Sequence, residues 1–222
     1  REMSARIPEG ASAPDLFHGF DAEELREVER VTTTRAFSRG EVIYTPGETG
    51  EALFLLRSGA VQIYRMSPEG RKLVIAQLLP FSFFGEMSCI GQGMYDTFAE
   101  VVEDSTIVTM NCAVLNRLLI TKPEVARRIL EAFGRRVLDA ERQLEETVFK
   151  GIPARVAALL IREAKGGSVD GLTHQDIAER LGVYRETATN ALNELKAADL
   201  IEIGRKHITI LDRERLQRIA GE

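Results

Sequence analysis

The segment THQDIAERLGVYRETATNALNEL, residues 173–195, restricts the possible folds more than any other part of the chain. Ile177, Ala178 and Leu181 are spaced as one buried face of a short helix, and Gly182 follows where a tight turn needs a residue that tolerates positive φ. A second helix is predicted to follow that turn. Its apolar residues share one side, and they are Ala188, Ala191, Leu192 and Leu195. The pattern predicts a helix-turn-helix.

The other side of the second helix carries Arg185, Glu186, Thr189 and Asn190. These are side chains that read base edges in a major groove: Arg binds guanine through two donors, Glu accepts from cytosine N4, and Asn pairs with adenine. The segment therefore predicts DNA binding with the second helix in the groove. The alternative from the same residues is an ordinary two-helix corner with a solvated polar face.

The remaining C-terminal residues predict a winged domain around this segment. Residues 154–164 predict a helix, and Gly166–Ser168 predict a loop. After the helix-turn-helix, LIEIGRKHITILD predicts two strands around a turn at residues 204–206. Arg205 and Lys206 at that turn are suited to phosphate contact. A final helix is predicted over residues 212–220.

Residues 35–110 contain short β runs that are interrupted by glycines, a pattern typical of a sandwich, jelly roll or barrel. The insertion FGEMSCIGQGMYDTF, residues 84–98, is a candidate small-ligand pocket, and the alternative is a structural roll without a ligand. Residues 1–20 predict a mobile lead. The helix after it is predicted to begin at Asp21, with Glu24 as its capping partner.

Residues 124–149 form the longest helical pattern, with apolar positions that alternate at spacings of four and three. These positions are Ala126, Leu130, Phe133, Val137, Ala140, Leu144 and Thr147. The heptad repeat predicts a parallel dimer seam, and the alternative is a helix that lies on its own β domain. Gly151–Pro153 then ends the helix and predicts a hinge.

The net charge of −5 is unevenly distributed along the chain. Residues 150–222 hold 12 Lys and Arg against 11 Asp and Glu, so the acidic balance belongs to the N-terminal part. A nearly neutral DNA-binding half must rely on where its cations are placed.

Other features of the sequence predict a cytoplasmic protein that is not an enzyme. No apolar run is long enough to span a bilayer, and no signal pattern is present. Cys89 and Cys112 are predicted to be separate buried thiols. The three histidines, His18, His174 and His207, lack metal-ligand spacing, so no metal is expected. No nucleophile–base pair or phosphate-binding loop is found.

With these motifs, the chain resembles the cyclic AMP receptor protein / fumarate-nitrate regulator (CRP/FNR) family of bacterial transcription factors from about residue 17 to residue 212. Arg185 and Glu186 match the Arg-Glu pair that reads G·C pairs of a TGTGA-type half-site in that family. Asn190 occupies a position where the family often has Arg, and it is predicted to read bases together with Thr189. The resemblance assigns phosphate contacts, which we take to be Thr173, Gln175, Tyr184, Thr187, Arg205 and Lys206.

The β region resembles the cyclic-nucleotide roll of the same family, through GEALFLLRSGAVQIY and FFGEM. Gly85 and Glu86 match the residues that hold the ribose and the neighbouring phosphate. Asp96 and Thr97 stand where nucleotide binders have an Arg-Ser or Arg-Thr pair, and Ala140 and Glu141 replace two hydroxyl residues that meet adenine. These departures predict a vestigial effector pocket and no cofactor. The Cys cluster of the iron–sulfur sensors is absent, as is a β-domain histidine that could serve as a haem ligand.

The predicted protein is therefore an α+β homodimer with a β-roll at residues 1–121, a dimerisation helix at 122–150 and a winged helix-turn-helix at 151–222. Its predicted partners are double-stranded DNA and RNA polymerase, with no membrane association. The predicted function is transcription activation at a TGTGA-like palindrome without cyclic AMP. Two alternatives remain at this point: a regulator gated by an unidentified small molecule in the roll, and a regulatory subunit that controls an enzyme or channel.

Overall fold

The computed structural model describes residues 16–17, 20–92 and 94–221. They form two compact units, one from the residues up to 64 together with 75–137, and the other from 65–74 together with 138 onward. Most of the predicted N-terminal lead, including His18, lies outside the described residues. Helix α1 (Ala22–Arg30) begins as predicted after Asp21, whose Oδ1 accepts a hydrogen bond from Glu23 N at 2.8 Å. The side chain of Glu24 lies outside the described residues.

A six-stranded sheet forms the predicted β-roll. Its strands are β1 (Thr32–Phe37), β2 (Val42–Tyr44), β3 (Ala52–Met66), β4 (Lys72–Leu78), β5 (Phe83–Phe84) and β6 (Phe98–Asn111). The strand order is β1-β6-β3-β4, with β2 paired to β6 and β5 paired to β3. The register of β3 against β6 shifts three times between Leu56 and Val61, and such bulges bend long strands.

Strand β3 differs from the sequence-based expectation at Gly59. The runs ALFLLRSG and AVQIYRM read as two strands, but the structure joins them into one strand that continues through the glycine. Gly59 has φ of 86°, and a Cβ atom there would lie 2.4 Å from the Asp104 carbonyl oxygen. This glycine therefore marks a close approach of β3 to β6 and not a turn.

The prediction that Cys89 and Cys112 are separate thiols is wrong, because they form a disulfide. Cys89 lies in a π-helical turn (Ser88–Gln92), and Cys112 is the first residue of α2 (Cys112–Thr121). The two residues are 23 positions apart in the sequence, with Cα atoms 5.0 Å apart in the fold. The long strand β6 lies between them and returns the chain to the turn, so their spacing in the sequence gave no sign of the pairing.

Helix α3 (Pro123–Phe149) begins one residue before its predicted start and ends where predicted. Val125, Ile129 and Ala132 are buried in the core of the roll, so the first half of the helix packs on its own β domain. Three seam residues on another face are exposed, with Leu130 at 69%, Val137 at 56% and Leu144 at 65%. The alternative in which the helix lies on its own β domain therefore holds for one face, and the exposed face stays a predicted dimer seam.

Phe133, a predicted seam residue, also contacts the β-roll of its own chain. Its ring is half-buried and packs edge-on against Phe83, with ring centroids 6.5 Å apart. This ring therefore contacts its own β-roll, which the heptad pattern alone did not predict.

The C-terminal residues form the predicted winged domain. Its elements are α4 (Ile152–Glu163), β7 (Ser168–Asp170), α5 (His174–Leu181), α6 (Arg185–Ala197), β8 (Ile201–Gly204), β9 (His207–Ile210) and α7 (Arg213–Ala220). The wing contains three strands in the order β7-β9-β8, so the expected loop is wrong at Ser168, where β7 begins. A strand of three residues is too short to show an alternating pattern.

Candidate DNA-binding interface and β-roll site

Buried side chains and local hydrogen bonds fix the geometry of the helix-turn-helix. Thr173 caps α5: its Oγ1 accepts from Asp176 N at 3.1 Å, and its own N–H donates to Asp176 Oδ2 at 2.7 Å. Gly182 ends α5 in the left-handed region with φ of 65°, as the sequence predicted. Arg155 Nη2 of α4 donates to Leu181 O at 2.7 Å, which further holds the turn. The apolar residues predicted to face inward are buried in one core.

The predicted base-reading residues lie near the start of α6. Arg185, Glu186 and Asn190 are exposed, whereas Thr189 is half-buried. Arg185 and Thr189 are one helical turn apart and so share a face. Thr189 Oγ1 lies 3.0 Å from Nδ1 of His174, the first residue of α5. The sequence-based prediction did not include His174, because it read each helix separately.

A cleft of about 250 Å³ lies between the helix-turn-helix and the wing. Four of the predicted DNA-contacting residues line it together: Thr173, Gln175, Arg185 and Lys206. The other lining residues are Leu172, His174, Ile203, Gly204 and Ile208. The cleft thus combines two cations with three other side chains that can hydrogen-bond, as a phosphate-contacting surface requires.

The remaining predicted phosphate contacts lie outside the lining of this cleft. Tyr184 and Arg205 are exposed, and Thr187 is half-buried. The wing itself is held by His207, whose Nδ1 lies 2.5 Å from Asp170 Oδ1. This hydrogen bond holds the pKa of the Asp170 carboxyl below its usual range.

Glu86 is the most deeply buried acid of the β-roll site, with 4% of its surface exposed. Its Oε1 pairs with Arg136 Nη1 of α3, while Arg136 Nη2 donates to Phe83 O at 2.5 Å. Glu86 Oε2 is buried and has no hydrogen-bond partner among the described residues. Burial raises the pKa of the Glu86 carboxyl above its usual value, and the Arg136 guanidinium opposes that rise.

Aromatic side chains occupy the interior beside Glu86. Tyr44 and Tyr95 stack with centroids 3.9 Å apart, and Phe54 and Phe84 stack at 5.2 Å. Burial raises the pKa of Tyr44, against the effect of a side-chain hydrogen bond with Thr97.

The structure brings part of the predicted effector pocket together. Gly85 precedes the buried Glu86, and Thr97 is buried, whereas Asp96 is exposed. The charge of Asp96 nevertheless contributes to raising the pKa of Glu86, so the two acids are electrostatically coupled. Ala140 and Glu141 are exposed, about one turn beyond Arg136 on α3.

The sequence-based prediction missed Arg136 as a site residue. Residues 73–116 contain no Lys or Arg, so this part of the sequence predicted no cation at the effector pocket. Arg136 comes from the long helix, 50 residues after Glu86. Its position one residue before the seam residue Val137 was the only available signal, and it did not point to the roll.

Comparisons with known proteins match both domains of the chain. Residues 34–122 match the cyclic nucleotide-binding domain family, and residues 154–219 match the Crp-like helix-turn-helix domain family. The global nitrogen regulator of Synechococcus elongatus is 30% identical over 187 residues, which cover 79% of this chain and 84% of that protein. The chain belongs to the CRP/FNR family of transcription regulators.

Two further likenesses extend over nearly the whole CRP/FNR chain. The CRP-like cAMP-activated global transcriptional regulator of Mycobacterium tuberculosis is 28% identical over 214 residues, covering 92% of this chain and 96% of that protein. A solved CRP/FNR-family regulator from Eubacterium rectale has a TM-score of 0.79 at 22% identity, covering 95% of this chain and 99% of that one. The predicted family and fold class are confirmed, and the chain is a DNA-binding regulator.

Two further findings hold for the described part of this CRP/FNR chain. None of its helices is long and apolar enough to cross a membrane. Within the same residues, no group of three or more His, Cys, Asp or Glu side chains could hold a metal ion.

Proposed function

We propose that the protein is a homodimeric transcription activator that binds a TGTGA-like palindrome and does not need cyclic AMP. The observation that carries the DNA-binding part is the exposure of Arg185, Glu186 and Asn190 at the start of α6. Arg185 also lines the cleft that Lys206 borders from the wing. A base-reading edge therefore lies next to phosphate-binding cations.

Each exposed side chain has a role that follows from its hydrogen-bonding groups. Arg185 donates two hydrogen bonds to guanine O6 and N7, and Glu186 accepts from cytosine N4. Asn190 and Thr189 read the neighbouring bases. Phosphates are bound by Thr173, Gln175, Tyr184, Thr187, Arg205 and Lys206, which orient α6 in the groove without reading sequence.

The exposed residues of α3 support a dimer. Leu130, Val137 and Leu144 repeat every seven residues along a helix of 27 residues, and an apolar stripe of this kind pairs with its symmetry mate. Ala140 joins this seam. Two copies of α6 then enter successive major grooves about 34 Å apart. In this arrangement the chain divides functionally into residues 1–121, 122–150 and 151–222.

Independence from cyclic AMP is supported by the contents of the roll. Asp96 stands where nucleotide binders carry Arg, and Arg136, a cation that reaches Glu86 from α3, is already paired with that acid. Tyr44, Tyr95, Phe54 and Phe84 pack beside that pair. The ion pair and these packed rings support independence from the nucleotide.

A second candidate function is a regulator that responds to another small molecule in the roll. Glu86 Oε2 supports it, because a buried carboxylate oxygen without a partner is suited to accept a hydrogen bond from a ligand. Mass spectrometry of the denatured protein tests this candidate through any copurified molecule. Detection of a stoichiometric compound would favour it over the ligand-independent activator.

A transcription activator of this kind works in the cytoplasm and contacts RNA polymerase. We propose no enzymatic activity and no resident cofactor.

The deciding experiment is unbiased selection of DNA from a random library, with the full-length protein, with and without cyclic AMP. We expect a palindrome with TGTGA-like halves in both selections. A variant that carries both Arg185→Ala and Glu186→Ala is the control and should not enrich that site. Absence of any enriched sequence contradicts DNA recognition, and enrichment only with the nucleotide contradicts independence from it.

A further inference from the structure

The side chain of His174 connects the two helices of the helix-turn-helix. It is the first residue of α5, and its Nδ1 lies 3.0 Å from Oγ1 of Thr189 on α6. Both side chains are half-buried, so this hydrogen bond is partly shielded from water. Thr189 lies one turn after the exposed Arg185 and next to the exposed Asn190. The histidine therefore holds the hydroxyl of a residue on the base-reading part of α6.

The other ring nitrogen of His174, Nε2, has no hydrogen-bond partner among the described residues. His174 also lines the cleft that contains Thr173, Gln175, Arg185 and Lys206. A DNA phosphate in that cleft offers only acceptor oxygens, so a ring nitrogen that contacts it must carry a proton. In the neutral imidazole one nitrogen donates and the other accepts. If Nε2 of the neutral ring donates to phosphate, Nδ1 accepts from the hydroxyl of Thr189.

We propose that His174 is a positioning residue that decides which bases Thr189 selects. The proposal rests on the DNA-binding function proposed above. When the Thr189 hydroxyl donates its proton to Nδ1, its oxygen offers the base only lone pairs. In the major groove these lone pairs match the amino groups of adenine N6 and cytosine N4. They do not match the acceptor edges of guanine and thymine, so Thr189 selects adenine or cytosine.

Two substitutions of His174 test its two contacts separately, one with Thr189 and one with phosphate. The amide of each replacement lies near a different nitrogen of the histidine ring. The amide of His174→Asn lies near the position of Nδ1, so its oxygen can still accept from Thr189. The longer amide of His174→Gln lies near the position of Nε2 and keeps a donor towards the phosphate. Thr189→Val keeps the branched shape and removes the hydroxyl.

The experiment is unbiased DNA selection with the full-length wild type and these three variants, followed by affinity measurements on the selected operator. Thr189→Val identifies the base position that Thr189 reads, and we expect adenine or cytosine there in the wild type. His174→Gln should lower this preference by about 5- to 10-fold, the effect of one hydrogen bond, while the bases read by Arg185 and Glu186 stay unchanged. His174→Asn should keep the preference within about 2-fold and weaken binding to all sequences.

Three outcomes overturn the proposal. The first is a wild-type preference for guanine or thymine at the position that Thr189→Val identifies. The second is an unchanged base preference in His174→Gln. The third is an equal loss of that preference in His174→Asn and His174→Gln, which would indicate a merely structural histidine. A wild type that selects no sequence contradicts the proposed function itself and is thereby distinguished from all three.

Discussion

Arg185 and Lys206 line the same cleft but are expected to contribute differently to DNA binding. Arg185→Ala removes a two-donor contact to guanine, so we expect a loss of about 1–3 kcal/mol and a relaxed preference at one base pair. Lys206→Ala removes a phosphate contact, so binding should weaken for all sequences and depend less steeply on salt. Affinities on a set of operators with single base changes test this difference. A uniform loss from both substitutions would contradict the assigned roles.

The stability of the β-roll should depend on pH through Glu86. Burial raises the pKa of this carboxyl above its usual value, so the folded state keeps the proton over a pH range in which the unfolded state has released it. The contribution of Glu86 is therefore most favourable below the usual pKa and is lost as the pH rises through the folded-state pKa.

The measurement is the Tm of the wild type and of Glu86→Gln across this pH range. We expect the wild type to lose stability relative to the variant as the pH rises. Glu145→Gln, at an exposed position of α3, is the matched control and should show no such difference. Parallel curves for the wild type and Glu86→Gln would show that Glu86 does not titrate differently in the folded state.

Residue roles were predictable from the sequence where all the residues concerned lie within one short motif. The exposed face of α6 followed from helical spacing, and the turn at Gly182 followed from the need for positive φ. Arg136 and His174 were missed because their partners lie 50 and 15 residues away, on other elements. The disulfide was missed for the same reason. Spacing along one element contains no information about such contacts.

At the scale of elements, a substitution in α3 tests the proposed dimer most directly. Val137 is 56% exposed and lies at the middle of the apolar stripe between Leu130 and Leu144. Val137→Asp places a charge opposite its symmetry mate in the proposed dimer, which opposes association through desolvation and like-charge repulsion. We expect a monomer by sedimentation and far weaker operator binding, since one half-site remains.

Ile120→Asp is the matched control for this substitution. Ile120 is 83% exposed on α2 and lies outside the heptad repeat, so the same change in chemistry should leave the dimer intact. Phe133 is a less suitable test position, because its ring also packs against Phe83. A Val137→Asp variant that remained dimeric would place the interface elsewhere.

Secondary-structure elements were predicted well where the apolar periodicity extends over several helical turns. They were predicted less well where pairing with a distant strand determines the element. The bounds of α3, α5 and α6 agree with the heptad and helix-turn-helix patterns to within a residue or two. Strand β7 has three residues and exists because it pairs with β9. Strand β3 continues through Gly59 because β6 approaches closely there. Neither pairing has a signature within the short segment itself.

At the scale of the whole molecule, the distribution of charge bears on the effector. A cyclic phosphate that is buried in a protein carries a full negative charge and needs a cation to replace its hydration. Residues 73–116 contain five acids and no Lys or Arg. Arg136 reaches the site from α3 but is paired with Glu86. A like-charge pair at about 4 Å is unfavourable by on the order of 4 kcal/mol at an effective dielectric constant near 20.

We therefore expect cyclic AMP neither to bind tightly nor to be required for operator binding. Titration calorimetry of the ligand-free protein with cyclic AMP should show no micromolar binding, and the same preparation should bind its operator. Asp96→Arg is the matched variant: it replaces an exposed acid by the cation of the nucleotide binders and should begin to restore affinity. Ala140 and Glu141 would still hold the adenine poorly. Micromolar binding by the wild type, or operator affinity that depends on the nucleotide, would contradict this expectation.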